Sequence, residues 1–164
     1  MPSSASAIRR EVKRFSQFLE EVHTGLERAI DGLENVELNW RPSRSSNSIG
    51  NLLKHIIGSQ AFWIHHVVGG KVTDRVRSAE FEVKDFNISD LRKELSQVRK
   101  LTNLILEKLT DAELDEMRSY WSQLAQCEKQ VSVYWCLFHV IEHSAQHIGQ
   151  IFYARKMYVD LQSS

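Results

Sequence analysis

Three histidines recur at intervals of four in the stretch Phe138-His139-Val140-Ile141-Glu142-His143-Ser144-Ala145-Gln146-His147-Ile148. On a helix, at 100° per residue, they drift only about 80° around the axis and so share one face. Neighbours four apart have Cβ atoms about 5–6 Å from each other, and their ring nitrogens can meet one ion at about 2.0–2.1 Å. The outer two stand about 12 Å apart along the axis and cannot. The helix therefore offers a single ion either His139 with His143 or His143 with His147. A third ligand must come from another segment, where the histidines are His23, His55, His65 and His66. His55 is the best placed, because it and the pair His143/His147 fall near the midpoints of their helices. On a helical wheel His55 lies about a third of a turn from the Ile49/Leu53/Ile56 stripe, in a sector shared with Ser48, Asn51, Ser59 and Phe62. Such a polar strip lines a cavity or faces solvent. Cys136-x2-His139-x3-His143 is a rival ligand set, weakened by the habit of buried free cysteine to act as a small hydrophobe. Glu142 points about 100° away from His143 and is assigned neither as ligand nor as general base.

These side chains need rigid elements to hold them. Ile8, Val12, Phe15, Leu19, Val22, Leu26, Ile30 and Leu33 repeat at steps of three or four, which predicts an amphipathic helix over about 8–34. Asn39-Trp40-Arg41-Pro42 forms the link, since Pro42 pushes Arg41 toward extended geometry. Asn47 or Ser48 caps a second helix that runs to Val68 and stops at Gly69-Gly70. Residues 69–88 show no helical period. Ser89 or Asp90 then caps a third helix through Leu109, and Thr110-Asp111-Ala112-Glu113 reads as a capping box opening a short helical turn. The stretch to Gln130 reads as irregular, and a last helix spans about 132–158. Four helices of roughly 20–27 residues, about 30–40 Å long, have the scale of a four-helix bundle. The 69–88 connection can extend to about 60 Å, enough to travel back along a helix. The expectation is an all-α, up-down-down-up bundle with its long crossover between the second and third helices, one domain over 1–164 with its core at about 8–158.

Composition agrees. The chain has 164 residues, 42% hydrophobic and 26% charged, which suits one globular core. Seven Gly and two Pro are too few for the turns of an all-β fold. Lys+Arg and Asp+Glu both number 21, so net charge is zero and nothing in the bulk electrostatics invites nucleic acid or an anionic membrane. Two cysteines are too few for a disulfide-stapled secreted domain, and no apolar run approaches the eighteen or so residues that span a bilayer. A cytoplasmic protein with no membrane association is expected.

The block Asn47-Ser48-Ile49-Gly50-Asn51-Leu52-Leu53-Lys54-His55-Ile56, the preceding Trp40-Arg41-Pro42 and the later run from His139 to Ile151 together resemble the DinB/YfiT-like metalloenzymes. The resemblance covers nearly the whole chain. It implies an up-down-down-up four-helix bundle that holds a divalent metal with three histidines, one from the second helix and an HxxxH pair from the last. Carried over by position, the ligands are His55, His143 and His147, with His139 one turn outside. Members of that family often have Glu directly after the first histidine of the pair and Arg after the second, where this chain has Ser144 and Ile148.

Three neutral imidazoles leave an open coordination position and the full charge of the ion, an arrangement that acidifies a bound water or thiol. Zn²⁺ and Ni²⁺ fit this ligand set best, and Fe²⁺ is compatible with it. The family resemblance includes transferases and an isomerase that use low-molecular-weight thiols. The first expectation is therefore a thiol-dependent S-transferase acting on a small-molecule substrate, with Asn51, Ser59, Trp63, Gln146 and Gln150 as pocket residues. The alternatives are a metal-dependent hydrolase and a non-enzymatic, homodimeric stress-response or binding protein with a structural metal. In the last case Trp121, Tyr134 and Trp135 serve the subunit interface.

Overall fold

The computed structural model describes residues 8–163. Helix α1 spans Arg10–Ala29 and buries Val12, Phe15, Leu19, His23, Leu26 and Ala29 on one face. Its own flanking residue supplies no side-chain cap. Asp111, a hundred residues later, accepts hydrogen bonds from the Glu11 and Val12 amides at 3.1 and 3.0 Å and so satisfies two orphan donors of the first turn. The chain then bends at Gly32, where φ is +65°, and makes the one-turn helix α2, Asn35–Asn39. The expected helix over 8–34 is thus shorter at its end, because Ile30 already leaves helical geometry.

Helix α3, Ile49–Gln60, is capped by Ser48: its hydroxyl accepts from the Asn51 amide, and the Asn51 side chain accepts from the Ser48 amide. From Ala61 to Val68 the same rod continues with the wider π-helical turn, seen in the bond from the Gly69 amide to the Ile64 carbonyl at 2.9 Å. Gly70, at φ +65°, ends it. The 69–88 connection contains one further turn, α4 (Ala79–Glu82). Helix α5, Ile88–Leu106, is capped by Asn87, whose side chain accepts from the Ser89 amide, so the cap falls two or three residues before the expected Ser89 or Asp90. The Thr110–Glu113 box closes as the sequence predicts, around a 3₁₀ turn at Asp111–Glu113.

The region expected to be irregular is an antiparallel hairpin of β1 (Met117–Ser122) and β2 (Cys127–Ser132), paired from Met117 with Ser132 to Ser122 with Cys127. The fold is therefore mostly helical rather than all-α. The hairpin escapes a periodicity reading because only Tyr120 and Val131 pack against the core, so its strands carry almost no apolar alternation. Helix α6 then runs over Val133–Gln162, capped by the Ser132 hydroxyl.

Four helical rods, α1, α3 with its π-helical extension, α5 and α6, enclose two apolar clusters stacked along the bundle. One holds Leu26, Ile30, Leu53, Ile56, Leu95 and Ile151, the other Phe15, Leu19, Ile64, Leu106, Leu137 and Val140. Between the clusters each rod contributes a buried polar residue, in order His23, Gln60, Thr102 and Ser144. No helix among the described residues is long and apolar enough to cross a membrane.

Candidate metal centre

The polar strip of α3 faces inward. Ser48, Asn51, His55 and Ser59 are all buried, and the 75–83 segment lies across them. That close approach needs glycine. A Cβ on Gly58 would run into the Glu80 carboxylate, and one on Gly50 would run into the Phe86 ring. Asn51 donates to the carbonyls of Glu80 and Val83 at 2.9 and 3.1 Å and accepts from the Arg41 guanidinium at 2.8 Å. Its amide is thus spent on anchoring this segment.

Opposite the strip, α6 presents its histidines. His55 Nε2 lies 3.0 Å from His143 Nε2, and His143 Nε2 lies 3.2 Å from His147 Nε2. One ring nitrogen of each can be chosen so that all three lie within 4.8 Å of one another. Ligands at about 2.0–2.1 Å in tetrahedral array stand about 3.4 Å apart, so these nitrogens are already close to the spacing that one ion demands.

The far side of each ring decides which nitrogen is bare. His55 Nδ1 is 2.7 Å from Glu80 Oε2, and a carboxylate only accepts, so the proton sits on Nδ1 and Nε2 presents its lone pair. His147 Nδ1 faces Gln150 Oε1 at 2.7 Å, with the same consequence when that atom is the amide oxygen. His143 Nδ1 is buried without a partner. Two of the three rings therefore turn bare nitrogens toward His143 Nε2, which has at most one proton to offer them, a shortfall that a cation relieves.

Electrostatics point the same way. Burial, followed by the neighbouring His147 and His55, pushes His143 down to about 3, so it is a neutral ligand at physiological pH. His147 is also lowered, chiefly by burial, against the opposing hydrogen bond with Gln150. For Glu80, burial alone would raise the carboxyl. The hydrogen bonds and charges of His55 and Arg75 outweigh it and hold the group below its usual range. Arg75 Nε reaches Glu80 Oε1 at 2.6 Å. The Arg75–Glu80–His55 relay is the kind of outer-shell support that fixes a ligand's tautomer and ring orientation. Glu80 and Arg75 had no signal in the sequence, since both stand in a connection without periodicity and only burial distinguishes Glu80 from its acidic neighbours.

The remaining candidates separate. His139 stands one turn outside the group, its ring stacked 4.5 Å from that of Trp135 and its Nδ1 3.0 Å from Glu142 Oε1. Cys136 lies in the apolar cluster, and burial pushes its thiol up to about 12, which argues against a thiolate ligand. His23 and His65 belong to the polar layer of the core, and His66 is bonded to the Lys71 carbonyl. Ser59 and Trp63 line a cavity of about 380 Å³ that opens onto His55 and His143, whereas Gln146 and Gln150 line a separate groove with Pro42 and Tyr153. Asn51 lines neither.

Comparison with solved structures gives fold-level likeness over almost the full length. YfiT from Bacillus subtilis, described as a probable metal-dependent hydrolase with an unusual four-helix bundle topology, aligns with a TM-score of 0.68 at 17% identity, covering 96% of this chain and 93% of its own. A DinB-like protein from the same organism aligns at 0.65 and 21% identity, covering 88% and 91%. A conserved protein from Enterococcus faecalis aligns at 0.68 and 15%, covering 90% and 96%. No curated protein matches the sequence. The family model of the DinB superfamily matches residues 18–151, a span that includes every residue of the imidazole group and of its supporting relay. By that match, this chain belongs to the DinB superfamily.

Proposed function

We propose that this protein is a divalent-metal-dependent enzyme whose ion is held by His55, His143 and His147, and that it transfers a group between a low-molecular-weight thiol and an electrophilic small molecule. The observation that carries the reading is the convergence of three imidazoles with no carboxylate among them, beside an open cavity. When bound, the ion, Zn²⁺ or Ni²⁺ by preference, supplies Lewis acidity and undiminished positive charge to a thiol or water at its open position. The protein's own part is positional. Glu80 holds the proton on His55 Nδ1, and Arg75 holds Glu80. Trp63 and Ser59 shape the cavity wall beside the imidazoles.

The course of the chain proposed for this bundle is up-down-down-up. Its support is the order in which each rod meets the two apolar clusters. Helices α1 and α6 pass from the Phe15/Leu137 cluster to the Leu26/Ile151 cluster, while α3 and α5 pass the opposite way. A homodimer is proposed with it, supported by exposed Tyr134, Phe138, Phe152 and Tyr153 along α6, and sedimentation of the purified protein tests it.

Elemental analysis of purified wild type, His55→Ala and His143→Ala tests the metal. Incubation of metal-loaded protein with bacillithiol, mycothiol or glutathione and 1-chloro-2,4-dinitrobenzene tests the transfer. The expected result is release of chloride with formation of the aryl thioether, lost in His147→Ala. Absence of turnover with all three thiols in metal-replete protein would reject the transferase.

Hydrolysis by an acidified water is the second reading. The favouring observation is His139, which lines the cavity with its ring centroid 5.2 Å from that of His143 and is oriented by Glu142, the arrangement of a general base. Ester and amide turnover without thiol, reduced in His139→Gln but with metal content unchanged, would select it.

A further inference from the structure

The cavity in front of the imidazoles has a second wall, made by the β1–β2 hairpin and the 75–77 segment. Gln123 in the hairpin turn ties the two together: its side-chain amide donates to the Arg75 carbonyl at 2.9 Å, and its Oε1 accepts from the Arg77 amide at 3.3 Å. This wall carries Tyr120, Trp121 and Lys129 from the hairpin and Arg75 and Arg77 from the connection. Three cations thus line the cavity, and no carboxylate does. Arg75 is neutralised by Glu80 beneath it. The Arg77 guanidinium lies over the Phe81 ring at 5.3 Å, and neither it nor Lys129 is paired with a carboxylate among the described residues.

Much of the remaining lining is aromatic, from both walls. Trp63 meets Tyr120 edge-on at 4.9 Å and Trp135 at 4.9 Å, and Phe62 meets Tyr120 at 5.9 Å. A pocket lined by two unmatched cations and by several aromatic rings discriminates by charge and by apolar area together.

We propose that this cavity binds an organic anion. The sulfonate, carboxylate or phosphate head is held by Arg77 and Lys129, and an apolar, ring-sized body lies against Trp63, Tyr120 and Trp121 with its far end toward His55 and His143. The assignment deepens the proposed function by naming the substrate class, and it rests on that reading only for what happens to the bound molecule. The hairpin, which contributes little to the core, thereby completes the pocket and supplies one of its two cations, Lys129.

Isothermal titration of the metal-loaded protein with naphthalene-2-sulfonate and with neutral 2-naphthalenemethanol tests the proposal, because a sulfonate is a poor metal ligand and the two probes share one ring system. Wild type should bind the sulfonate about tenfold more tightly than the alcohol, a preference that shrinks as salt is raised. Arg77→Gln/Lys129→Gln should erase the preference while leaving the alcohol's affinity within about twofold, which shows the aromatic wall intact. Equal affinities in wild type, a preference that survives the double substitution, or loss of both probes from the double variant would each overturn it. His147→Ala separates this proposal from the metal: it should retain the sulfonate preference with no ion bound. A protein that binds no divalent ion yet keeps the preference defeats the metal reading alone, and one that loads metal without the preference defeats only this one.

Discussion

Two groups of polar residues in this bundle, one fully buried and one partly buried, use the same residue type to opposite ends. In the core layer, His23 Nε2 is 3.0 Å from Gln60 Oε1, Gln60 Nε2 donates to Thr102 Oγ1 at 2.8 Å, and His65 Nε2 lies 3.0 Å from the same hydroxyl and 3.2 Å from the Val98 carbonyl. Each imidazole there is joined to a protein partner, although His23 Nδ1 is left without one. In the second group the partners Glu80 and Gln150 stand behind the rings, and the remaining nitrogens face each other. The lesson is that burial of a histidine says little. Whether its neighbours consume its lone pairs or aim them at one point decides between a structural layer and a ligand set.

The largest expected effects separate the two groups directly. His143→Ala should take bound metal from about one equivalent to near zero by elemental analysis. In the metal-free state it should change unfolding stability by no more than about 1 kcal/mol, because the ring it removes holds an unpartnered buried nitrogen. Gln60→Leu should do the reverse. It roughly keeps the volume but strands His23 Nε2 and leaves the Thr102 hydroxyl with His65 alone, at a cost of about 1–3 kcal/mol in urea unfolding, with metal content unchanged. If Gln60→Leu emptied the metal site, or His143→Ala unfolded the protein, the two groups would be one network and the comparison would fail.

Much of this was legible in residue spacing, and the limits have physical causes. The i, i+4 repeat of His139, His143 and His147 fixed a shared face, but spacing alone could not choose between the two adjacent pairs. The resemblance to DinB-like proteins pointed to His143 and His147, and the structure places those two beside His55. The position of His55 off its apolar stripe looked ambiguous because a polar strip is buried only if something covers it. The cover is the 75–83 segment, whose conformation depends on long-range bonds to Asn51 and His55, and on its own Arg75–Glu80 pair, rather than on any local period. Glu80 was hidden for that reason. The π-helical turns over Ala61–Val68 were hidden too, since a widened turn leaves composition untouched.

The outer support of the ligands sharpens the contrast with the core layer. Glu80→Gln removes the charge that favours His55 as a donor and releases Arg75, and it should weaken metal binding about 10- to 100-fold in competition with a chelating dye. Gly58→Ala should act in the same direction without touching a titratable group, because the added methyl displaces the Glu80 carboxylate from its place between His55 and Arg75. Both variants should keep the cooperative unfolding of the core layer. An affinity within twofold of wild type in both would mean that Glu80 holds the connection in place and does nothing for the ligand.

The smallest effect concerns protons. His23 and His65 are both held below the ordinary value of 6.5, in each case chiefly by burial, against the hydrogen bonds from Gln60 and Val98 that oppose it. The unfolded chain therefore takes up protons at these positions from about pH 6.5 downward while the folded chain does not, and stability decreases as pH is lowered wherever the unfolded state binds more protons. Their contribution should be present in full above 6.5 and lost progressively as pH falls from there toward the folded values. Metal-free wild type and His23→Leu/His65→Leu carry the same triad, so subtracting their melting-temperature profiles between pH 8 and 5 cancels its titration and isolates the core pair. The difference should be flat at the alkaline end and turn against wild type below about pH 6.5. A difference that stayed constant across the range would mean that these two imidazoles titrate alike in both states, and that burial does not hold the core layer neutral.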